Sequence, residues 1–394
     1  MAGDGRPRIL LSAGEPSGDA YGARLATALQ ARLGAHLVGL AGPHMRAAGV
    51  EATARMEEIS VLGLSEVLRH LPRIWRAERR LERVLRTRPD LAIFIDYPGF
   101  HLRLAARARR YGVPVLYYVA PQVWAWWKSR LRKMARAVDH VAVVFPFEVE
   151  WYESAGIPVT FVGHPLAEEL AEVRDPNAGA AIRERAGLAP EQPYLALLAG
   201  SRIEEVERLL PAQLGAARIL QGESAGLGIV VPAASEALAE RSRELVRVAG
   251  VRAEVLVGDT HAAVEHARAA VVASGTATLE AAALGTPLVV VYRLSRLTWE
   301  IAKRVVRVRR VALANIVAGE DVAVELLQDQ VTPAAIARAL RPLLADGPER
   351  EAALGRLRGF RSHLGEPGAA ERVAELAARL YRKPESAPAV ARSA

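Results

Sequence analysis

Carboxylate and basic side chains follow several strand-like runs of this sequence, at the places where open α/β sheets bind their ligands. Leu91–Ile95 is one such apolar run, and Asp96 comes directly after it. A carboxylate there can accept the proton of a substrate hydroxyl as a general base. The alternative is that Asp96 caps the helix that follows, and the residues alone leave both interpretations open.

The turn after the first apolar run, Ile9–Ala13, holds two glycines and the polar candidates Glu15 and Ser17. Glycine lets a backbone approach a ligand closely, and the next helix, expected from about Ala20, offers free N–H groups to an anion. The turn has neither the GxGxxG fingerprint of dinucleotide-binding proteins nor a P-loop. An ordinary turn, with Ser17 or Asp19 as the helix N-cap, is the alternative.

Three of the six tryptophans cluster after the strand-like run Val115–Val119, among them Trp124 and Trp126. Tryptophan rings stack on sugars and also suit lipid interfaces, where one side is apolar and the other wet. Packing between domains is the alternative. Several basic residues follow between positions 128 and 133, which argues against burying all three rings in a core.

A second kind of turn follows the apolar run Tyr194–Leu198, and it consists of Gly200, Ser201 and Arg202. Arginine can hold two phosphate oxygens at once, so a strand, a glycine turn, an arginine and a helix start suit a diphosphate. The alternative is a surface Arg202 paired with Glu205 or Glu207 on the next helical turn.

The strongest single signal follows Ala269–Ala273, where a strand ends in small residues before a helix: Ser274, Gly275 and Thr276. Backbone N–H groups and the helix dipole then point at a phosphate. Glu280 lies one turn inside this helix, where its carboxylate can reach two adjacent ribose hydroxyls. Ser274 or Thr276 as a plain N-cap is compatible with that binding role.

Strand-like runs alternate with helical patterns along the whole chain, and the series restarts after the polar segment Val173–Asn177. Continuous apolar strands separated by helices indicate parallel sheets covered on both faces. We therefore predict two Rossmann-like, doubly wound α/β domains facing each other across a cleft, residues 1–175 and 176–360. An amphipathic helix, within 361–384, can pack back on the N-terminal domain, and 385–394 is expected to be a disordered tail.

The 394 residues carry 52 Lys and Arg against 44 Asp and Glu, a formal charge of +8. A positive net charge predicts anionic partners, but it does not distinguish between phosphates, nucleic acid and lipid headgroups. The chain has no cysteine, which excludes disulfides. No HExxH motif is present. His261 and His266 are five positions apart, so they do not lie on one face of a helix. We therefore expect neither a metal site nor a cofactor.

The segment Val61–Arg88 combines an apolar stripe, which includes Val67, Leu68, Leu71 and Trp75, with many arginines. A helix with one apolar face, a tryptophan and an arginine-rich polar face suits the headgroup boundary of a membrane. The alternative is a domain helix whose apolar face packs on the sheet.

Taken together, these segments resemble the lipid-A-disaccharide synthase family, glycosyltransferases of the GT-B architecture. The matching runs stand in family order and are Ala13–Asp19, Asp96–Phe100, Pro121–Trp126, Phe145–Glu148, Val162–Leu166, Gly200–Glu207, Ala273–Glu280 and Asn315–Gly319, with Glu325 and Leu326. Ala120 and Ala199 depart from the family, which commonly has Ser and Pro there.

The resemblance implies transfer of diacylglucosamine from UDP-2,3-diacylglucosamine to 2,3-diacylglucosamine 1-phosphate (lipid X), with inversion, to give a β-1′,6 disaccharide and UDP. Asp96 would be the base. The sugar-donor site would comprise Gly200, Ser201, Arg202, Ser274, Gly275, Thr276, Glu280 and Asn315. Glu15, Ser17, Trp124 and Trp126 would lie on the acceptor and lipid side.

The resemblance also implies a cytoplasmic protein, peripheral on an anionic inner-membrane surface, that binds no nucleic acid; it leaves a homodimer open. Two rival interpretations remain. One is another UDP-sugar enzyme of this architecture, such as a UDP-N-acetylglucosamine transferase or 2-epimerase. The other is a non-catalytic membrane or nucleic-acid binding protein, which leaves Asp96 and Glu280 unexplained. An NAD-linked oxidoreductase is disfavoured because GxGxxG is missing.

Overall fold

The computed structural model describes residues 6–59, 64–121, 128–172, 175–224, 226–294 and 310–381, with backbone alone at 64–71, 128–130 and 172. This described chain divides into two compact units. The first comprises the residues up to Glu168 together with those from Gly365 onward, and the second is Glu169–Leu364.

The first unit is built on a parallel sheet of seven strands in the order β3-β2-β1-β4-β5-β6-β7. The strands are β1 (Arg8–Ala13), β2 (His36–Ala41), β3 (Glu51–Arg55), β4 (Leu91–Ile95), β5 (Val115–Tyr118), β6 (His140–Val143) and β7 (Val159–Phe161). Central strands such as β4 are buried along their whole length, as strands covered on both faces must be.

Helices cover both faces of this sheet. They are α1 (Pro16–Leu33), α2 (Pro43–Ala47), α3 (Leu64–Arg86), α4 (Pro98–Arg110), α5 (Lys128–Ala137), α6 (Glu148–Glu153) and, from the far end of the chain, α16 (Ala369–Leu380). Helix α7 (Leu166–Glu172) begins in the first unit and ends in the second. Side chains of α3, α4 and α5 share one apolar core with alternate residues of the strands. The C-terminal helix α16 packs against α1.

The second unit holds a six-stranded parallel sheet in the order β10-β9-β8-β11-β12-β13. Its strands are β8 (Tyr194–Leu198), β9 (Gly228–Ala233), β10 (Glu254–Val257), β11 (Ala269–Ala273), β12 (Leu288–Tyr292) and β13 (Val324–Leu327). Its helices are α8 (Ala178–Arg185), α9 (Ile203–Glu223), α10 (Glu236–Ala249), α11 (Thr260–Glu265), α12 (Thr276–Ala283), α13 (Leu313–Ala318), α14 (Pro333–Leu344) and α15 (Pro348–Leu357).

Short 3-10 turns complete the described elements at Met56–Glu58, Gln328–Gln330 and Phe360–Leu364. The prediction of two parallel-sheet α/β domains is confirmed, and β4, β8 and β11 have the bounds expected from their apolar runs. The expected start of the first helix at about Ala20 is wrong, because α1 already begins at Pro16. Proline is favoured in the first turn of a helix, where its missing N–H costs nothing.

Candidate functional site

Each sheet has one topological switch point, and the candidate residues of each unit lie at it. In the first sheet β1 has β2 on one side and β4 on the other. Ligands of open α/β sheets bind beyond the carboxyl ends of the strands at such a point. The loops that leave β1 and β4 there carry Glu15 and Asp96, so the structure brings these two predicted residues to one crevice.

Asp96 is half-buried, and its titration is shifted towards neutral pH. Burial, and next the negative charge of Glu15, raise the pKa of Asp96 to about 7. A hydrogen bond with the backbone of Tyr97 acts in the opposite direction but does not cancel them. A carboxylate that titrates near neutral pH is well matched to taking up a proton from a hydroxyl.

The backbone at Asp96 is strained and held in place by two buried side chains. Asp96 and Tyr97 have φ values of 47° and 50°, in the left-handed region that costs an L-residue about 1–2 kcal/mol. Nδ1 of His101 and the hydroxyl of Tyr117 each donate a 2.7 Å hydrogen bond to the carbonyl oxygen of Asp96. These two bonds stabilise the conformation that sets the direction of the Asp96 side chain.

The tautomer of His101 follows from its partners. A carbonyl oxygen only accepts, so Nδ1 carries the hydrogen. Burial lowers the pKa of His101 to about 4, and the ring is therefore neutral at neutral pH. Nε2 must then accept the hydroxyl hydrogen of Ser12, whose oxygen lies 2.8 Å away. Sequence reasoning missed this chain of contacts, although a histidine one helical turn beyond a candidate base was a signal for it.

The loops after β1 and β4 approach each other too closely for a side chain at Gly14. A Cβ atom placed on Gly14 would lie 2.3 Å from Cδ1 of Tyr97. The glycine of the first turn is therefore required by the contact with Tyr97, and it keeps the loop of Glu15 beside that of Asp96.

The capping alternatives for the first unit are wrong. The N-cap position of α1 is Glu15, not Ser17 or Asp19, and no side chain caps that helix. Ser17 is exposed near the start of α1, whereas Asp19 is fully buried. The Asp19 carboxylate accepts hydrogen bonds from the N–H groups at the start of α2. Asp96 does not cap α4 either, since Tyr97 occupies the N-cap position and no side chain caps that helix.

The second sheet reverses its order at β8, which has β9 on one side and β11 on the other. The loop after β8 is the predicted turn of Gly200, Ser201 and Arg202, and the loop after β11 holds Ser274 and Gly275. The structure therefore brings both predicted anion-binding turns to one switch point.

Arg202 is exposed at the N-cap position of α9, and Glu205 folds back over the turn. One Glu205 oxygen accepts from the N–H of Ser201 at 3.0 Å, and the other lies 3.4 Å from the guanidinium of Arg202. The alternative pairing of Arg202 with Glu205 is thus present. Gly200, at φ 127°, has no room for a Cβ, which would meet the Glu205 carboxylate at 2.4 Å.

The start of α12 is open to a ligand. Gly275 occupies its N-cap position, so neither Ser274 nor Thr276 is the N-cap, and no side chain caps this helix. Gly275 and Thr276 are exposed, and a Cβ on Gly275 would meet nothing within 4 Å. N–H groups at a helix start with no capping side chain bind anions well.

Glu280, one turn into α12, has a partner that sequence reasoning did not assign. Nε2 of His261, on α11, lies 3.5 Å from a Glu280 carboxylate oxygen. Hydrogen bonding to Glu280 raises the pKa of His261, and burial only partly opposes the shift. Both side chains keep some exposure, so the Glu280 carboxylate remains within reach of a ligand.

Asn315 is buried and bonded inside the protein. Its amide nitrogen donates to the carbonyl of Ala323 at 2.9 Å and to Glu325 at 2.8 Å, and its oxygen accepts from the N–H of Ala323. Glu325 in turn accepts from the N–H groups of Val311 and Ala312, just before α13. Both amide hydrogens of Asn315 are committed, so this side chain organises the start of α13.

The remaining predicted residues divide into two groups. Trp124 and Trp126 lie outside the described residues, as do the side chains of Val67, Leu68 and Leu71. Trp75, on α3, is described and is 56% exposed. No helix of the described ranges is long and apolar enough to cross a membrane. Nor do these ranges contain a cluster of three or more His, Cys, Asp or Glu side chains placed to hold a metal ion.

Comparison with known proteins bears on both the fold and the family. The S. aureus MnaA–UDP co-structure superimposes with a TM-score of 0.66 at 16% identity, covering 95% of this chain and 97% of that one. This likeness shows a shared fold, that of GT-B glycosyltransferases and their relatives.

Sequence comparison is more specific. The family described as lipid-A-disaccharide synthetase matches residues 9–377. A lipid-A-disaccharide synthase of Trichlorobacter lovleyi is 45% identical over 94% of this chain and 97% of its own length. One of Myxococcus xanthus is 43% identical over 94% and 96%. The chain therefore belongs to the lipid-A-disaccharide synthase family and is a glycosyltransferase.

Proposed function

We propose that this protein transfers diacylglucosamine from UDP-2,3-diacylglucosamine to the 6-hydroxyl of 2,3-diacylglucosamine 1-phosphate, and that Asp96 is the general base. The observation that carries the proposal is the position of Asp96 beside Glu15 at the switch point of the first sheet, with its pKa raised to about 7. A sugar hydroxyl needs such a base because it does not ionise at neutral pH.

The bond changes are those of a single displacement. The acceptor oxygen forms a bond to the anomeric carbon while the bond from that carbon to the UDP oxygen breaks. The hydroxyl proton goes to the Asp96 carboxylate, and UDP leaves with the bonding electron pair. Attack opposite to the leaving group inverts the anomeric centre and gives the β-1′,6 linkage.

The second unit supplies the groups for UDP. Arg202 and the uncapped start of α12 at Gly275 and Thr276 would stabilise the negative charge that grows on the leaving diphosphate. Gly200 and Ser201 would shape the backbone of the turn after β8 around the diphosphate. Ser274 would do the same for the turn after β11. Glu280 would accept hydrogen bonds from the ribose hydroxyls.

For Asn315 the contacts favour an indirect role. Its side chain is saturated by Ala323 and Glu325, so it would position the start of α13 for the nucleotide rather than bind the nucleotide itself. Glu15 and the exposed Ser17 border the crevice of Asp96, where they would contact the acceptor sugar. Trp124 and Trp126 would contact the lipid chains.

The acylated substrates imply work at the cytoplasmic face of the inner membrane, and α3 supports this. Its buried side, with Ala77, Leu81 and Leu85, belongs to the core. Trp75 is exposed instead, and the guanidinium of Arg79 lies 3.5 Å from the centre of its ring. An exposed tryptophan with a stacked arginine suits the headgroup region, with Val67, Leu68 and Leu71 as further proposed contacts.

The test of this function is release of UDP by the purified protein in detergent. UDP and a disaccharide product are expected only when both diacylated sugars are present. Unacylated UDP-N-acetylglucosamine, supplied alone or with lipid X, is the control and should give little UDP. Equal turnover of the unacylated sugar would reject the substrate assignment in favour of another UDP-sugar enzyme of this fold.

A further inference from the structure

An open groove of about 840 Å³ lies between α4 and α5, and none of the residues assigned to the reaction lines it. Its lining has two chemically different parts. The apolar part consists of Pro98, Leu102, Ala106 and Ala137. The polar part is entirely cationic and consists of Arg103, Arg109, Arg110, Lys133 and Arg136. A groove with an apolar wall and cations at its rim suits an anionic amphiphile.

Three of these five cations are uncompensated. Arg103 pairs with Glu78, and Arg109 pairs with Asp139. The side chains of Arg110, Lys133 and Arg136 make no hydrogen bond or ion pair with any residue in the described part of the chain, and all three are exposed. No carboxylate lines the groove to balance them. Uncompensated positive charge around one groove favours a phosphate-bearing ligand.

The sheet topology gathers most of the cations at one end of the groove, although Arg103 lies midway along α4 and the apolar Ala137 lies beside Arg136. Helix α4 connects β4 to β5, and α5 leads into β6; since these strands are parallel neighbours, both helices run in the same direction. Arg109, Arg110 and Arg136, in their last turns, therefore lie at the end away from Asp96. Pro98, in the first turn of α4, lies at the end near Asp96. With 13 residues, α4 is ~20 Å long, comparable with the ~15 Å depth of one leaflet of acyl chains.

We propose that this groove binds one glycerophospholipid of an anionic bilayer, with its phosphate at the cationic end and one acyl chain along the apolar wall. Helix α4 forms one wall of the groove, and α3, which exposes Trp75, packs against α4 on the same face of the sheet. The inference rests on the proposed membrane association and extends it from α3 to α4 and α5.

The acceptor sugar does not fit this site. Its 6-hydroxyl must reach Asp96, and its phosphate is held on the same sugar ring. The cationic end of the groove lies about one length of α4 from the start of that helix, on the order of 18 Å away. A separate lipid molecule, held by its phosphate, fits the distribution of charge.

The experiment is calorimetric titration of the full chain with dihexanoyl phosphatidylglycerol below its micelle concentration. Two variants address the two parts of the groove: the triple charge reversal R110E/K133E/R136E, and Ala106→Trp, which fills the apolar wall at an exposed position. The charge reversal should weaken binding about tenfold or more, since a basic residue near an anionic lipid contributes about 1 kcal/mol. Ala106→Trp should weaken it about tenfold or more because the indole excludes acyl-chain CH₂ groups from the apolar wall. Inorganic phosphate at the same concentration should compete poorly, because it has no acyl chain.

The matched control is R218E/R247E/R252E, which makes the same charge change on exposed arginines of the second unit and should leave binding unchanged. The proposal is overturned if this control weakens binding equally, if Ala106→Trp has no effect, or if inorganic phosphate displaces the lipid. It is also overturned if the groove variants raise the KM for the acceptor glycolipid in detergent, which would make the acceptor the occupant. Release of UDP by the unaltered protein in detergent tests the glycosyltransferase proposal separately.

Discussion

Nδ1 of His101 donates a 2.7 Å hydrogen bond to the backbone carbonyl oxygen of Asp96, the residue proposed as the base. The histidine is fully buried and neutral, and its other nitrogen is held by Ser12. His101 therefore touches no substrate in this account but fixes a strained backbone, and it is a positioning residue. Such a role has consequences that a simple packing role does not have.

Replacing His101 by Phe should lower kcat about tenfold or more while leaving the affinity for UDP unchanged. The ring volume is kept, but the carbonyl of Asp96 loses one of its two donors, and misplacement of a catalytic group is costly. Steady-state kinetics together with UDP titration provide the measurement. Ser12→Ala, which frees Nε2 of His101, should produce a smaller loss of the same kind. A fall in UDP affinity or in melting temperature without a selective loss of kcat would show that His101 only packs.

The pH dependence of kcat/KM should show an acid limb near pH 7. Asp96 must be ionised to accept a proton, and its raised pKa means that this form is lost as the pH falls through about 7. Glu15→Gln removes the negative charge that contributes to the shift, so the limb should move to lower pH. Burial remains as the first cause, so the limb should stay above the ordinary range of an aspartate. If the acid limb of the Glu15→Gln variant stayed at the same pH, the charge of Glu15 would not contribute to the raised pKa of Asp96.

Arg202→Ala should weaken binding of UDP by about tenfold to a hundredfold, because a charge-assisted contact to phosphate contributes about 1.5–3 kcal/mol. The loss should be smaller for uridine, which has no diphosphate. Arg247→Ala, an exposed arginine elsewhere in the second unit, is the matched control. Equal losses for UDP and uridine would place Arg202 away from the phosphates.

The pair of His261 and Glu280 can be followed by NMR titration of the imidazole. Glu280 raises the pKa of His261, so the protonated ring persists to higher pH and the pair is lost as the pH rises through that pKa. If ribose hydroxyls engage Glu280, UDP should draw the carboxylate away and lower the pKa of His261. Glu280→Gln should lower it without UDP. If saturating UDP left the pKa of His261 unchanged, the proposed contact of Glu280 with the ribose would be contradicted.

The fold was largely predictable because continuous apolar runs between helical patterns are local signals. Leu91–Ile95 and Tyr194–Leu198 were predicted with the bounds that the structure has. Strand β2 was missed. It contains Gly39, which weakens a strand pattern. A Cβ there would lie 1.9 Å from the carbonyl oxygen of Leu11, so the glycine is required by a neighbouring strand that the local sequence does not reveal.

The candidate site was predictable in its positions but not in its contacts. Asp96, Arg202 and Glu280 were predicted as candidates because they stand just after a strand, at a helix start and one turn inside a helix. The contact of His101 with Ser12 joins residues 89 positions apart in the chain. The internal bonds of Asn315 are likewise set by the packing of α13 against the loop before β13. Only the folded chain reveals such pairings.

The most direct measurement is the turnover of Asp96→Asn with both diacylated sugars, alongside its affinity for UDP. The variant keeps the shape of the side chain but cannot take up the acceptor proton. Turnover should fall on the order of 10²- to 10⁴-fold, and UDP affinity should stay unchanged because the residues proposed to bind the nucleotide lie in the other unit. Asp329→Asn, at an exposed position, is the matched control and should retain full activity. A loss below tenfold, or a parallel loss of UDP binding, would contradict the assignment of Asp96 as the base.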